Sequence, residues 1–214
     1  MAWEHFLRGK RYKKDVIIFE AELASNLSEI YHSLTDRTYR HGPYSVFNIS
    51  DPKSRTIHKA SVCDRIVHRL IYDTLYRYFD IKFIFDSYSC RKRKGTHKAL
   101  SRFKFFAGKV SKNNSRTCYV LKCDIKKFFA SVDHKILSKI LKRHIADQDI
   151  ILLIEKVVSS FCSTCTGIGL PLGNLTSQIL ANVYMHEFDM FMKQEVRVKY
   201  YIRYTDDFII LSDN

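Results

Sequence analysis

The sequence predicts an α+β domain in which antiparallel strands are backed by helices. Two runs rich in β-branched and aromatic residues flank an Asp-Asp pair near the C-terminus, and residues 119–123 form a similar run. Apolar residues recur at helical spacing through much of the remaining chain. Predicted strands therefore bracket a loop and a helix, as expected for one layer of strands covered by helices.

The C-terminal segment, residues 200–211, has the pattern of a strand, a tight turn and a second strand. Asp206 and Asp207 stand at the tip of this hairpin, where they concentrate negative charge. Mg²⁺ suits such a site, because this hard cation takes a few carboxylates together with substrate phosphates. The alternative is a solvated turn, since Asp is a common turn residue. The catalytic interpretation therefore requires a partner carboxylate elsewhere.

Asp124 is the candidate partner, because it follows residues 119–123 at the C-terminal end of a predicted strand. Carboxylates from different strands of one sheet can meet at the edge of that sheet. Two metal ions roughly 3.5–4 Å apart can then clamp the attacking and leaving oxygens of a phosphoryl transfer. For Asp124 alone, the alternative is a residue that caps the following helix.

A glycine-rich segment, residues 167–178, precedes a predicted helix. Such a loop lets a nucleotide or another backbone approach closely, and a helix N-terminus favours phosphate. Gly-Pro clusters more often mark only a turn. The candidate N-cap residues are Asn174, Thr176 and Ser177. The helix carries two apolar rows, formed by Ile179, Val183 and Met190 and by Leu180, Tyr184, Phe188 and Phe191.

Upstream, apolar periodicity predicts two further helices. The first carries Leu23, Leu27, Ile30, Tyr31 and Leu34, and the second carries Val67, Leu70, Ile71, Thr74 and Tyr78. Residues 41–57 contain two prolines and alternating residue types, which predict a β-hairpin with a basic edge. Residues 150–161 are predicted to form another buried helix.

The charge of the chain is strongly basic and unevenly distributed. Its 36 Lys and Arg outnumber 22 Asp and Glu, giving a formal charge of +14. Residues 1–116 hold 24 of the basic and 11 of the acidic residues, so nearly all of the excess lies ahead of the carboxylates. This asymmetry favours a surface that follows a phosphate backbone. The alternatives are a solubilising basic surface and a ribosome-associated protein without catalytic activity.

Length and composition set further limits. A chain of 214 residues with 46% hydrophobic content can bury a sizeable core. It has neither an apolar run long enough to span a membrane nor a signal-peptide pattern, so we expect a cytoplasmic protein. Cys162 and Cys165 have the spacing of half a zinc site, but no second pair follows. We expect the six cysteines to be reduced and partly buried.

Five segments, taken in order, resemble the motifs of reverse transcriptases. Motifs A, B and C of the palm resemble Asp124-Ile-Lys-Lys-Phe-Phe129, Gly169-Leu-Pro-Leu-Gly-Asn-Leu-Thr-Ser-Gln178 and Tyr204-Thr-Asp-Asp207. The first fingers motif resembles residues 51–57 with 64–67, and the second resembles residues 86–99. The resemblance covers residues 51–207 and implies the fingers and palm of a right-hand polymerase, with an antiparallel palm sheet backed by helices.

The resemblance also implies an order of segments. N-terminal helices and fingers occupy residues 1–115, a first palm segment 116–134, a helical insertion 135–165 and a second palm segment 166–214. Polymerases of this type continue into further palm strands and a helical thumb, whereas this sequence stops seven residues after Asp207. We therefore expect the thumb to be missing from this chain, and weak or no processive synthesis by the chain alone.

Two segments are similar to the reverse transcriptases of bacterial and phage diversity-generating retroelements. These are the second fingers motif and the Gly-Asn-x-x-Ser-Gln ending of motif B. Leu172 stands where many reverse transcriptases carry Gln, and in the retroelement family an aliphatic residue there accompanies misincorporation opposite template adenines. Retron, group II intron-like and phage-defence reverse transcriptases share many of these motifs and are the alternatives.

Residue roles follow from the motif matches. Asp124, Asp206 and Asp207 match the catalytic carboxylates, which bind two Mg²⁺ ions, with Mn²⁺ as an alternative. Phe129 matches the steric gate that leaves no room for a 2′-hydroxyl; a core aromatic is the alternative. The expected dNTP-binding residues are Lys53, Arg55, Arg91, Phe129, Gly173 and Gln178. The residues expected to contact nucleic acid are Lys92, Arg93, Lys94, His97, Lys98 and Tyr204.

For the basic residues a solvated face is the alternative, and for Tyr204 it is packing within the palm. The implied partners are an RNA template, a DNA or RNA primer, dNTPs and a basic accessory protein. A non-catalytic RNA-binding protein on the palm frame is a further alternative. The three intact carboxylates argue against it, because binding alone does not require them.

Overall fold

A computed structural model describes residues 2–50 and 53–213. The chain divides into two compact units. The first unit comprises Met1–Tyr76 and Phe129–Ser177, and the second comprises Arg77–Phe128 and Gln178–Asn214. These breaks do not coincide with the boundaries expected at residues 115, 134 and 165, so the assignment of fingers and palm segments stays a prediction.

The described residues form helices and two antiparallel sheets. The helices are α1 (Ala2–Leu7), α2 (Lys14–Ala21), α3 (Leu23–Thr35), α4 (Val62–Phe79), α5 (Thr96–Val110), α6 (Phe128–Ser131), α7 (His134–His144), α8 (Gln148–Ser159) and α9 (Leu175–Met190), which a π-helical turn (Phe191–Glu195) extends. The strands are β1 (Ser45–Ser50), β2 (Ser54–Lys59), β3 (Tyr119–Asp124), β4 (Tyr200–Tyr204) and β5 (Asp207–Ser212). The predicted α+β class is confirmed.

The first unit combines a hairpin with helices. β1 and β2 pair antiparallel from Ser45 opposite Lys59 to Ser50 opposite Ser54, which agrees with the predicted hairpin. Asp51 and Pro52, which begin the first fingers motif, lie outside the described residues. A core forms where α1, α2 and α4 meet, because their apolar faces point inward. Its buried side chains are Phe6, Val16, Phe19, Val62 and Ile66.

The second unit contains a three-stranded antiparallel sheet in the order β3-β5-β4. β5 is therefore paired on both sides, and β3 and β4 contribute one outer edge each. α5 packs on this sheet through Phe106 and Val110, which are buried together with Ile202 and Leu211. The sheet backed by a helix agrees with the predicted architecture.

The predicted helix signals are mostly confirmed. The apolar rows expected near residues 23–34, 67–78 and 150–161 fall in α3, α4 and α8. The N-cap expectation is wrong for Thr176 and Ser177, because α9 begins at Leu175 and both lie inside it. Asn174 directly precedes the helix, but its side-chain amide donates to the carbonyl of His58 at 2.9 Å.

The six cysteines are all unpaired, and their exposure differs from the expectation. Cys63, Cys118 and Cys123 are partly buried, whereas Cys90, Cys162 and Cys165 are exposed. Within the described residues, none of the helices combines the length and the apolar character needed to cross a bilayer.

Candidate active site

Three carboxylates converge at one end of the sheet in the second unit. Asp124 is the last residue of β3, Asp206 lies in the turn between β4 and β5, and Asp207 is the first residue of β5. Antiparallel pairing sets Asp124 directly opposite Asp207. One ligand oxygen from each residue lies within 4.8 Å of the others, with Asp124 exposed and the other two partly buried. An all-oxygen donor set fits a hard divalent cation such as Mg²⁺.

The turn that carries Asp206 is held in an unusual backbone conformation. Thr205 has φ +58°, a left-handed value that is costly for a β-branched residue, by about 1–3 kcal/mol. Two contacts hold Thr205 in place. Its hydroxyl donates to the Oγ of Ser89, and its carbonyl accepts from the Arg203 guanidinium at 2.9 Å. The position of the two carboxylates after it is therefore fixed by specific contacts.

A fully buried ion pair anchors this turn to α9. Arg203 in β4 and Asp189 in α9 both have 0% side-chain exposure. The Arg203 Nε and Nη2 donate to the two carboxylate oxygens of Asp189, each at 2.7 Å. The Tyr201 hydroxyl donates to the same carboxylate at 2.8 Å. Burial and the neighbouring charge of Asp189 raise the pKa of Tyr201 well above its ordinary value.

The remaining donors of Arg203 are also satisfied. Its Nη1 donates to Asn182 Oδ1 at 3.1 Å and to the Thr205 carbonyl, and its Nη2 donates to Ser87 Oγ at 3.2 Å. Asn182 in turn donates to the carbonyl of Ser89 at 3.0 Å. All five N–H groups of the guanidinium therefore have partners, as a buried arginine requires.

The glycine-rich segment packs closely against β2 in the first unit. Gly173 has φ +103°, and a Cβ there would lie 2.6 Å from Ile57 Cγ2. The His58 N–H donates to the Leu172 carbonyl at 3.0 Å. Gly173 is therefore required both for its backbone conformation and for this close approach. Gln178, the last residue of the motif, is exposed on α9 in the second unit.

Phe129 lines a cavity of about 330 Å³ in the first unit. Thr56, His58, Phe161 and Leu172 are also part of its lining. The Phe129 ring is partly buried, in contrast to that of Phe128, which is 4% exposed. The adjacent aromatic pair thus divides into a core residue and a cavity residue.

Most of the predicted basic residues are exposed, whereas the Arg91 side chain is buried in contacts with other groups of the protein. The exposed group contains Lys53, Arg55, Lys92, Arg93, His97 and Lys98. The Arg91 side chain is 7% exposed and pairs with Asp80 at 2.7 Å. It also donates to the carbonyls of Asp80, Ile84 and Ser87. A triphosphate contact would break these bonds, so the contacts of Arg91 do not support its expected role in dNTP binding.

The side chains of Lys94 and Tyr204 also form hydrogen bonds within the protein. The Lys94 ammonium donates to the Phe85 carbonyl at 2.6 Å and lies 3.6 Å from the centre of the Phe85 ring. Burial and the nearby charge of Arg91 lower the pKa of Lys94. The Tyr204 ring is 37% exposed, and its hydroxyl accepts from Thr96 at 3.3 Å.

Sequence reasoning missed Arg203 and Asp189. The available signal was an acidic residue, Asp189, within the predicted helix that carries two apolar rows, followed by Arg203 inside a predicted strand. Buried charges are paired in folded proteins, so each of these residues implied a partner.

Comparisons with known proteins agree with the motif pattern. The model of the family "Reverse transcriptase (RNA-dependent DNA polymerase)" matches residues 49–214. Protein YkfC of Escherichia coli is 24% identical over 188 residues, covering 83% of this chain and 48% of that protein. The group II intron-encoded protein LtrA of Lactococcus lactis is 26% identical over 176 residues, covering 78% of this chain and 28% of that protein. The chain thus spans less than half the length of these relatives.

A solved structure shares the fold. Apo telomerase from Candida tropicalis, truncated from its C-terminal domain, superposes with a TM-score of 0.57 at 13% identity, over 89% of this chain and 49% of that one. The family match extends over most of the chain and includes the three converging carboxylates. The chain therefore belongs to the reverse transcriptase family.

Proposed function

We propose that the full-length protein synthesises DNA on an RNA template by two-metal nucleotidyl transfer. The observation that carries this proposal is the convergence of Asp124, Asp206 and Asp207 within 4.8 Å, inside the segment that matches the reverse transcriptase family. A pure binding protein has no need for three clustered carboxylates, which repel one another unless cations are present.

Asp124, Asp206 and Asp207 would hold two Mg²⁺ ions, with Mn²⁺ as an alternative. When bound, these ions would supply Lewis-acid activation of the primer 3′-hydroxyl and neutralise charge on the pyrophosphate leaving group. The chain itself contributes positioning, because the buried Arg203–Asp189 pair and Thr205 hold the turn rigid. Preorganised groups of this kind cost no reorganisation when the reaction occurs.

The other motif residues bind and select the substrates in this proposal. Phe129 lies beneath the sugar of the incoming nucleotide and excludes a 2′-hydroxyl. Lys53 and Arg55 grip the triphosphate, for which the arginine fork is well suited, while Gly173 and Gln178 shape the pocket around the base. The exposed basic residues near the second fingers motif contact phosphates of the template.

The subtype that we propose is the error-prone enzyme of a diversity-generating retroelement, acting with a basic accessory protein. Leu172, at the position before the motif B glycine, supports this subtype. A group II intron-type enzyme is the second candidate, because one of the similar proteins is the intron-encoded LtrA.

Primer extension by the full-length protein on an adenine-containing RNA template, with Mg²⁺ and dNTPs, tests these proposals. Errors concentrated opposite template adenines would support the retroelement subtype. Accurate extension would support the proposed polymerase activity and exclude that subtype. RNA binding without any extension would contradict the proposed chemistry and favour a binding protein on the palm frame.

A further inference from the structure

A cavity of about 210 Å³ in the first unit has a strongly basic lining. Four cationic side chains from the α1–α2 turn, β2 and α4 contribute to it. These are Lys10, Lys59, Arg65 and Arg69. Among the described residues, no Asp or Glu is part of the lining. The cavity therefore presents cations without carboxylates facing them.

Two carboxylates outside the lining neutralise only part of this charge. Asp15 accepts from both Lys59 and Arg65, the former at 2.6 Å. Asp73 accepts from Arg69 at 3.0 Å and also from His5. The two acidic residues thus pair with three of the four cations and with a histidine, which leaves the cluster with excess positive charge.

Lys10 is the one of these four cations that pairs with neither Asp15 nor Asp73. It forms no ion pair with a carboxylate of residues 2–50 or 53–213, and its ammonium lies 4.6 Å from the centre of the Phe6 ring. Burial, together with the positive charges of Arg65 and Arg69, lowers the pKa of Lys10. A lysine held among arginines without an acid is stabilised by an anion that enters the cavity.

Apolar side chains complete the lining. Phe47 and Ile57 of the hairpin border the cavity together with Phe6 and Leu175. The Phe47 side chain is 46% exposed. An apolar wall beside a cation cluster suits the phosphate backbone and the adjoining bases of a single nucleic-acid strand.

We propose that this cavity binds the phosphate backbone of an RNA strand, with a phosphate at Lys10 and Arg69. The inference rests on the proposed function, which requires an RNA template. A strand phosphate is favoured over a triphosphate, because a triphosphate brings a divalent cation and the lining offers that cation no carboxylate.

Binding of single-stranded RNA to the full-length protein, measured by fluorescence anisotropy across a salt series without Mg²⁺ or dNTPs, tests the proposal. Lys10→Met should weaken binding roughly five- to ten-fold and reduce the slope of log affinity against log salt by about 0.7. Lys14→Met removes the same charge from an exposed position that does not line the cavity, and should change affinity less than about two-fold. The melting temperature of Lys10→Met should stay unchanged or rise, because repulsion with the arginines is removed.

Three results would overturn the proposal. One is equal RNA affinity for Lys10→Met and Lys14→Met. Another is a lower melting temperature for Lys10→Met with RNA affinity retained, which would make Lys10 a structural residue. The third is a raised KM for dNTP with unchanged RNA affinity, which would assign the cavity to a triphosphate. Because binding is measured without synthesis, failure of the polymerase proposal would leave this test intact.

Discussion

Arg203 is a buried residue that positions the candidate site without belonging to it. Removing one partner of a buried ion pair leaves the other charge uncompensated, which costs about 3–5 kcal/mol. We expect Arg203→Met to lower the free energy of unfolding by about that amount, measured by denaturant titration. Arg116→Met, at an exposed position in the same unit, should change it by less than about 0.5 kcal/mol.

A double variant separates the charge effect from the packing effect. Arg203→Met combined with Asp189→Leu removes both charges, so much of the lost stability should return. If the double variant is as unstable as the sum of the two single variants, the carboxylate of Asp189 is not the reason for the loss.

A substitution of Phe129 tests whether this one side chain selects against ribonucleotides. Its ring is partly buried beside a cavity, so a smaller side chain enlarges that space. We expect Phe129→Val to increase incorporation of ribonucleotides relative to deoxynucleotides by roughly ten-fold or more, measured as the ratio of kcat/KM values. Phe106→Val, a buried aromatic of α5, serves as the control. An unchanged ratio in Phe129→Val would leave Phe129 as a structural aromatic.

At the scale of elements, the contact between the glycine-rich segment and β2 depends on Gly173. A side chain there meets Ile57 and requires an unfavourable backbone conformation. Gly173→Ala should therefore lower the free energy of unfolding by about 1–3 kcal/mol in a denaturant titration. Gly108→Ala, inside α5 with ordinary space around the new methyl group, should raise it by about 0.5–1 kcal/mol. Equal effects of the two substitutions would contradict this role of Gly173.

The α7–α8 pair carries an acid-sensitive contact. Hydrogen bonds from Lys142 and Ser138 lower the pKa of Glu155. Because the folded-state pKa is the lower one, the stabilisation is present above the unfolded-state pKa of about 4.3 and is lost as pH falls through the folded-state value. Glu155→Gln should therefore reduce stability near pH 7 by up to about 1 kcal/mol, since both charges are partly exposed, with the difference vanishing in acid.

Thermal unfolding of the wild type and Glu155→Gln between pH 3 and 7 measures this difference. Glu29→Gln, on the exposed face of α3, is the control and should show no such pH dependence. A difference that persists unchanged to pH 3 would show that the Glu155 contact is not ionic.

At the scale of the whole molecule, local patterns predicted much of the fold. The runs around Asp124 and the Asp206–Asp207 pair predicted β3, β4 and β5, because strand propensity and turn chemistry are local properties. Their antiparallel pairing brings the predicted carboxylates together. The strand and turn pattern made these carboxylates candidates, and the resemblance to reverse transcriptase motifs implied their role as metal ligands.

Non-local contacts were not predictable in the same way. Nothing near Arg203 in the sequence shows that its partner is Asp189, and Arg91 has the sequence context of a phosphate ligand although Asp80 and three carbonyls surround it. The division into two units also depends on contacts between distant segments. Such pairings are decided by tertiary packing, which a single sequence does not display.

The single-turnover rate of primer extension on a preformed RNA–primer duplex, with saturating dNTP and Mg²⁺, tests the central claim most directly. Asp206→Asn removes one carboxylate of the converging set with little change in shape, and Asp213→Asn makes the same change at an exposed position after β5. We expect Asp206→Asn to lower the rate roughly a thousand-fold or more, and Asp213→Asn to leave it within two-fold. Equal rates for the two variants would contradict the assignment of the three carboxylates as the catalytic centre.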